Sequence, residues 1–495
     1  MIVHDSPRSW SSGRRVLLYN HSSPTSQITS IPSAAIGSSF LFIPVVSSIS
    51  NEGPKTYDDS ISASSWISPS NYLKFSSFIY SLTNITSLAI PYILKDTLHL
   101  SPSQLGLFSA VCATPSFLKP VYSFMIPRTS RPMALFLCST LQTAAFITIG
   151  TTIAHGSSSL PIVLGCLLAH SVASSIGMFI RDSMTIELVA ATNRDSQHDA
   201  HNVYTELSMI ARIGLVPVAY LSGYLLTYVT PAQIVAGAAI FPATIAVASA
   251  LFLETPETST YDLNREDEWK AAVLAIKNTD SGLLSTVSGR SLFLSVIPSY
   301  ADAMFFYYSD YMGFSAEFMG RFQFLGAIAG IIANAISKAT LPYIDPRKVA
   351  NTVQWLLIPT FSSILIVTQY PNLPHIGTFI LARHFLVDFF TAITALPAAM
   401  ELMQSAPRGA EGTYLALVGT LGNVGGAVNS LISSATMNIL GITATNFDNI
   451  SSFIGLTIGM SAISTPLVLF KDDDKKQQQK IEPKIEEEEL DARGA

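Results

Sequence analysis

Charged residues are scarce in this chain. Asp, Glu, Lys and Arg make up 13% of its 495 residues, whereas a soluble globular domain carries about 25%. The deficit lies in the middle of the chain, because both ends are polar. No stripe of basic residues follows any segment, so we expect no nucleic-acid partner. The scarcity of charge argues against a soluble fold for the centre of the chain.

Cysteine is rare as well, and the common catalytic motifs are missing. The three cysteines, Cys112, Cys138 and Cys166, all lie in apolar stretches, which argues against a disulfide framework or a cysteine-based metal site. The sequence contains no GxxxxGK[ST] phosphate loop and no HExxH or GxSxG motif. We therefore expect no catalytic residue, no metal and no cofactor, and neither an enzyme nor an ATP-driven pump.

Long apolar runs are what the chain has in abundance. A helix needs about 20 mostly apolar residues to cross a bilayer, and the backbone inside lipid must satisfy its own hydrogen bonds. The runs show no in/out alternation, so the sequence predicts an all-α membrane protein. The twelve predicted spans are 72–94, 104–126, 133–154, 159–186, 204–229, 231–253, 290–309, 316–338, 347–369, 374–402, 411–438 and 449–470.

The order of these segments predicts two six-helix bundles. We expect bundles at 71–253 and 290–470, joined by a polar cytosolic loop at 254–289. Cytoplasmic loops carry the excess of Lys and Arg, and the outer loops hold little beyond Lys95. The inner loops hold Arg128, Arg131, Arg194, Arg265, Lys270, Lys277, Lys338, Arg347, Lys348 and Arg408. This asymmetry predicts that both termini face the cytosol or stroma.

The two ends of the chain differ from its centre. Residues 1–70 are rich in Ser and carry Arg but few acids, which is typical of organelle transit peptides; the alternative is a disordered cytosolic tail. Residues 471–495 are highly charged, which predicts a disordered tail or a solvated helix. We expect a multi-pass protein of a plastid or another organelle membrane, with the plasma membrane as the alternative. The oligomeric state is not readable from the sequence.

Charges inside the spans are the candidate functional groups. Each costs about 2.5–3.5 kcal/mol at a helix centre on insertion scales, so it usually marks a pathway or a pair. The structural alternative for each is an interhelical ion pair or hydrogen bond. The candidates are Arg181, Asp182, Glu187, Arg212, Asp302, Arg321, Arg383, His384, Asp388 and Glu401.

The sequence predicts a specific interaction for two of these candidates, Arg212 and Asp302. Arg212 lies deep in the fifth span and needs a partner, for which Asp182 or Glu187 of the fourth span is the nearest plausible group. Asp302 is the charge least suited to lipid, and an acid beside aromatic rings suits a flat heterocycle with N–H donors. Its predicted aromatic companions are Phe305, Phe306 and Tyr307.

The tenth span carries a further set. Arg383 and Asp388 are five residues apart, about 140° around a helix, so they do not simply pair with each other. Arg383 suits an anionic substrate, and Asp388 suits proton exchange. His384 is more often a packed side chain than a proton relay.

Four stretches resemble the folate–biopterin transporter family, a branch of the major facilitator superfamily. They are LKDTLHLSPSQLGLFSAVCATPSFLKPVYSFM, IRDSMTIELVA (180–190), PSYADAMFFYYSDYMGFSAEFMGR (298–321) and GITATNFDNI (441–450). The resemblance covers roughly residues 70–470. It implies two six-helix bundles that rock about a central site, transport of folates or pterins with protons, and a functional set of Asp182, Glu187, Arg212, Asp302 and Arg321.

The chain departs from the family pattern near the fourth span. Met178 stands where the family often has an acid, and Leu188, Val189 and Ala190 replace a basic cluster. These departures keep a second hypothesis open, that the chain transports a different small solute. A third hypothesis is a non-transporting receptor or scaffold, but such a protein would be expected to lose its intramembrane charges.

Overall fold

The computed structural model describes residues 69–468, apart from 127–130, 157–158, 192–196, 253–264, 278–295, 341–345, 405 and 408. Every regular element in this part of the chain is helical. The predicted tail 471–495, nearly all of the predicted segment 1–70 and most of the predicted central loop lie outside the described residues.

The described chain forms seventeen α-helices. In order they are α1 Pro69–Leu82, α2 Thr86–Tyr92, α3 Pro102–Ala113, α4 Lys119–Met125, α5 Arg131–Ala154, α6 Leu160–Ala191, α7 Gln197–Leu225, α8 Pro231–Ala238, α9 Ile240–Phe252, α10 Arg265–Lys277, α11 Ala301–Phe306, α12 Ala316–Thr340, α13 Pro346–Ser362, α14 Ile364–Gln369, α15 Ile376–Gln404, α16 Glu411–Ile439 and α17 Ile450–Val468. Short 3-10 turns continue α1 and α3, and five-residue π-turns at Ile93–Thr97 and Tyr307–Tyr311 end the first and seventh predicted spans.

Eight helical stretches in the described part are long and apolar enough to cross a membrane. They correspond to the first, third, fourth, sixth, eighth, ninth, tenth and eleventh predicted spans. Two shorter apolar helices, Met209–Leu225 and Ile450–Thr465, correspond to the fifth and twelfth. Pro115 and Pro120 interrupt the second span, and the first residues of the seventh lie outside the description. The all-α membrane fold is confirmed, whereas the full count of twelve stays a prediction.

The helices pack mainly within each predicted half. In the first half α5 packs on α6, α8 and α9, and α1 packs on α7; in the second half α15 packs on α12 and α13, and α13 packs on α17. The main helix contacts between the halves are α7 with α12 and α3 with α16. We call these two contacts the seam.

A hairpin motif occurs once in each half. Asp96, His99, Ser101 and Gly106 have counterparts 214 positions further along, namely Asp310, Gly313, Ser315 and Gly320. His99 and Gly313 both have positive φ, at 54° and 67°, and turn the chain after each π-turn. Ser101 and Ser315 then cap the next helix by accepting from the N–H three residues on, at 3.3 Å in both cases. The two halves are thus related by an internal repeat.

Hydrophobic side chains from both halves pack together at one end of the structure. We call the end that contains the turns 98–101, 226–230, 312–315 and 440–449 the outer end, because the Lys/Arg asymmetry predicts that it faces away from the cytosol. One continuous hydrophobic cluster spans both halves there, including Tyr92, Phe146, Met319, Ile380 and Phe453. In the described residues at the opposite, inner end, the buried apolar side chains form three separate clusters.

Gly223 of α7 and Gly320 of α12 allow the two helices to cross closely at the seam. A Cβ on Gly223 would lie 2.6 Å from Cα of Gly320, closer than any real contact. We expect Gly223→Ala to destabilise the protein by about 1–3 kcal/mol, because the helices must separate, and to lower its thermal unfolding midpoint in detergent. Gly459→Ala is the matched control, since a Cβ there meets nothing within 4 Å. Equal stability of the two variants would show that the crossing tolerates a side chain.

Candidate functional site

Polar side chains from both halves meet along one face of α12. Gly326 and Gly330 are one helical turn apart, so they lie on the same face. The guanidinium of Arg212, from α7, covers Gly330: a Cβ there would lie 2.8 Å from its Cζ. His384 and Asp388, from α15, cover Gly326, where a Cβ would lie 3.0 Å from Nε2 of His384. The absence of side chains at the two glycines makes room for these groups.

The two α15 groups on this face interact with each other. Nε2 of His384 lies 3.1 Å from Oδ2 of Asp388. The imidazole stacks on Phe322 of α12, with ring centroids 3.4 Å apart and planes 7° from parallel. His384 is buried and Asp388 is half-buried. The pair therefore holds one acid and one imidazole in fixed geometry at the junction of α12 and α15.

Asp302 lies in the first turn of α11, well inside the seventh predicted span, and faces the other seam contact. It is 2% exposed. A Cβ on Gly106 of α3 would lie 3.3 Å from Oδ2 of Asp302 and 3.5 Å from the carbonyl oxygen of Ser430 in α16. Nearby, the Ser434 hydroxyl of α16 donates to the Ser103 carbonyl at 2.7 Å. Asp302 is thus buried among the helices that join the halves.

Arg383 directly precedes His384 on α15, and its burial is unusual. It is 7% exposed. Its Nη2 donates to Oη of Tyr300 at 2.7 Å and to the carbonyl oxygen of Phe361 at 3.4 Å. Its Nε has no hydrogen-bond partner among the described residues. Arg383 and Asp388 have separate partners in this arrangement.

A second cluster of charged side chains lies at the inner end. Asp182 of α6 interacts electrostatically with Lys119 of α4 and with Arg181. Lys119 and Arg181 are buried, and Cζ of Arg181 lies 3.6 Å from the ring centroid of Tyr80. In the structure the Arg212 guanidinium lies against α12 at Gly330, and its pairing with Asp182 or Glu187 stays a prediction. Glu187 lies in α6, but its side chain is outside the described residues.

The outer end is held by one lysine that reaches two carboxylates. Lys95, in the first π-turn, pairs with Asp310 of the second π-turn, and its Nζ lies 3.3 Å from Oδ1 of Asp96. The ammonium also donates to Ser309 at 3.2 Å and sits 5.6 Å from the centroid of Phe305. Asp96 and Asp310 are counterparts in the internal repeat. We call Lys95, Asp96, Ser309 and Asp310 the outer latch.

The remaining predicted residues lie apart from the polar face of α12. Arg321 is 54% exposed in its side chain and pairs with Glu317 at 2.6 Å, one turn away on the same helix. Phe305, Phe306 and Tyr307 are all buried in the hydrophobic cluster of the outer end, so their rings are covered by protein in this structure.

Several residues of these sites were not among the sequence candidates. Lys119 offered a signal, because a lysine inside an apolar span is as costly as any other charge there. Tyr300 and Phe322 offered none, since an aromatic residue in a membrane helix is ordinary. Gly326 and Gly330, in the segment GAIAGIIA, are typical of close helix packing, but the charged groups that cover them are distant in sequence.

Solved structures with the same architecture are transporters by their titles. The nucleoside transporter NupG has a TM-score of 0.58 at 13% identity, over 82% of this chain and 100% of that one. The human organic anion transporter MFSD10 has a TM-score of 0.55 at 15% identity, over 81% and 100%. With the two-half packing described above, these likenesses define an integral membrane protein of the major facilitator fold.

The sequence comparisons identify the family. The profile of the BT1 family matches residues 82–488, and the chain belongs to that family. "Folate transporter 2" of Plasmodium falciparum is 29% identical over 397 residues, covering 76% of this chain and 82% of the relative. The "Folate-biopterin transporter" of Synechocystis is 25% identical over 396 residues, covering 77% of each. "Probable folate-biopterin transporter 8, chloroplastic" of Arabidopsis thaliana is 22% identical, covering 77% and 71%. The resemblance stated from the sequence is confirmed.

Proposed function

We propose that the protein is a secondary transporter that carries folate, pterin or a related organic anion across a membrane by alternating access, coupled to protons. The names of its relatives support the substrate class, and the two-half architecture supports the mechanism, in which one half rocks against the other around a central site. The proposal involves no chemical step and therefore no enzymatic activity.

The observation that carries the proposal is the placement of charge at the seam. The Arg212 guanidinium covers Gly330 where α7 meets α12, and Asp302 lies against Gly106 where α3 meets α16. Rocking of the halves would loosen these contacts and expose both groups to the space between the bundles. A scaffold would gain nothing from charges at such a cost to insertion. A transporter of anions uses them for binding and coupling.

The roles that we propose follow the chemistry of each group. Arg212 or Arg383 binds a carboxylate of the substrate, and Asp302 accepts from N–H groups of its ring. Asp182, Glu187 or Asp388 exchanges the coupled proton, and the contact between Asp388 and His384 supports the last of these. Arg321 completes the family set, and Phe305, Phe306 and Tyr307 would meet the ring after the outer end opens.

The second candidate function is transport of a different small solute, for which the cavity between the bundles has changed its lining. Met178 and the apolar run after Glu187 distinguish this chain from the family pattern, and they favour a different solute on the same fold. We also propose that residues 1–70 direct the protein to a plastid or another organelle membrane, with the plasma membrane as the alternative. The chloroplastic relative supports the organelle assignment.

Uptake of radiolabelled folate and pterin tests the proposal. Folate-requiring cells that express the chain are expected to show saturable uptake, which a proton uncoupler abolishes because the gradient drives transport. Cells with the empty vector are the control. No uptake by protein that is verified in the cell membrane would contradict the folate and pterin assignment, and uptake that survives the uncoupler would contradict proton coupling.

A further inference from the structure

Arg383 is a buried cation that has no anionic partner among the described residues. It is 7% exposed, yet among the described residues no carboxylate forms an ion pair with it, and Asp388 on the same helix contacts His384 instead. A charge that is removed from water is strongly disfavoured unless it is paired. No carboxylate in the described part of the chain therefore balances the charge of this guanidinium.

The surroundings of Arg383 supply hydroxyl and carbonyl oxygens rather than charge. Its Nη2 donates to Oη of Tyr300 at 2.7 Å and, more weakly, to the Phe361 carbonyl at 3.4 Å. Tyr308 also interacts electrostatically with the guanidinium and is buried. The Nε of Arg383 has no partner among the described residues. One edge of the guanidinium, formed by Nε and Nη2, is thus only half satisfied.

We propose that this edge of Arg383, which we call the carboxylate receptor, binds a carboxylate of the substrate. When no substrate is bound, the hydroxyl of Tyr300 occupies part of this edge. Two parallel N–H groups on one edge of a guanidinium match the two oxygens of a carboxylate. A phenol hydroxyl both accepts and donates. When the carboxylate takes Nε and Nη2, Tyr300 turns from acceptor of the Nη2 proton to donor toward the carboxylate.

This inference decides between the two arginines that the proposed function leaves open, and it rests on that function for the class of substrate. Arg212 is half-buried, and its guanidinium lies against the seam at Gly330. Lys119 and Arg181 already have Asp182 as an anionic neighbour. For Arg383 the described residues supply no carboxylate, and the substrate would supply one.

Tyr300 also connects the receptor to the outer end. It directly precedes α11, and the π-turn that carries Asp310 follows α11. A change of partner at Tyr300 therefore acts at one end of a short helical segment whose other end carries the outer latch. This geometry gives substrate binding a direct mechanical route to the closure of the outer end.

Benzoate and benzamide test the receptor on the purified full-length protein in detergent. They have nearly the same shape, but benzamide carries no charge. Benzoate is expected to raise the thermal unfolding midpoint of the wild type, because a ligand that binds the folded state stabilises it, and benzamide is expected to leave it unchanged. Arg383→Gln should abolish the benzoate shift. Tyr300→Phe should weaken benzoate binding by roughly tenfold, since one charge-assisted hydrogen bond is lost.

The controls separate the receptor from a general effect of anions. Tyr370→Phe and Lys270→Gln change exposed residues and should keep the full benzoate shift. If Arg383→Gln does not fold, Arg383→Lys replaces it, because lysine keeps the charge but has no two-donor edge and should bind benzoate about tenfold more weakly. An equal shift with benzamide, or an unchanged benzoate shift in the Arg383 variant, would overturn the inference.

The outcome is distinguishable from that of the uptake experiment. Benzoate binding that depends on Arg383, together with an absence of folate uptake, would keep the carboxylate receptor and reject folate as the substrate. Folate uptake that is unaffected by Arg383→Lys and Tyr300→Phe would keep the transport function and reject the receptor.

Discussion

Asp302→Asn is expected to reduce folate and pterin uptake to the background of vector cells, while the amount of protein in the membrane stays unchanged. Asparagine has nearly the size of aspartate and keeps hydrogen-bonding capacity, so the buried site against Gly106 remains filled. It has no negative charge and cannot exchange a proton. A fall of tenfold corresponds to about 1.4 kcal/mol, and we expect at least this, because the acid is 2% exposed at the seam.

The measurement is initial uptake rate per amount of protein, with Asp448→Asn as the control. Asp448 is an exposed acid in the turn before α17, so its neutralisation tests the effect of losing one negative charge far from the seam. Uptake at the wild-type rate by Asp302→Asn would reject the proposed role of this acid. A variant that fails to reach the membrane would instead assign Asp302 to folding, which is the structural alternative stated from the sequence.

The sequence predicted the membrane class and the helices, and it did so for a local reason. A run of about 20 apolar residues is compatible with little other than a spanning helix. The second span is predicted less accurately than the others, and a local feature of the sequence explains why. Pro115 and Pro120 break the second span into a helix, a 3-10 turn and a second helix, and hydropathy averages over such a break.

The arrangement of the candidate site was not predictable in the same way. Hydropathy identifies Arg212 and Asp302 as costly charges, but the partners of a side chain depend on which helices cross. Arg212 faces Gly330, and Asp302 faces Gly106, both of which belong to helices far away in sequence. Arg321, in contrast, pairs within its own helix. Its membership of the family set gave no indication of that local contact.

Lys95 shows that one irregularity in the sequence was informative. It was the exception to the Lys/Arg asymmetry, a basic residue at the predicted outer end. The structure supplies a physical reason, because Lys95 lies between Asp96 and Asp310, the two carboxylates that the internal repeat places on either side of the seam. One cation therefore serves two symmetry-related acids.

Lys95→Asp is expected to open the outer end and to lower uptake strongly. Three carboxylates would then meet where one ammonium now joins two, and the Lys95 side chain is only 12% exposed, so water screens the repulsion poorly. Hydrogen bonds to charged groups contribute about 1.5–3 kcal/mol, so the outward-open population should rise roughly ten- to hundredfold. Accessibility of Met319→Cys to a membrane-impermeant maleimide reports this, because Met319 is buried in the cluster of the outer end. The assay uses a background in which Cys112, Cys138 and Cys166 are replaced.

The charge exchange Lys95→Asp with Asp310→Lys provides the decisive comparison. It places an ammonium in the second half, at position 310, against two carboxylates in the first half, at positions 95 and 96, so it should recover both protection of Met319→Cys and most of the uptake, whereas either single change should not. Recovery requires that the two positions act through their mutual attraction, since a variant that merely misfolds is not repaired by a second substitution of this kind. Full labelling of the exchanged protein would show that the latch does not hold the outer end closed. Protection without uptake would show that closure is restored but that transport also needs the cation at position 95, in the first half. There the Lys95 ammonium lies beside the rings of Phe305 and Phe306 of the second half.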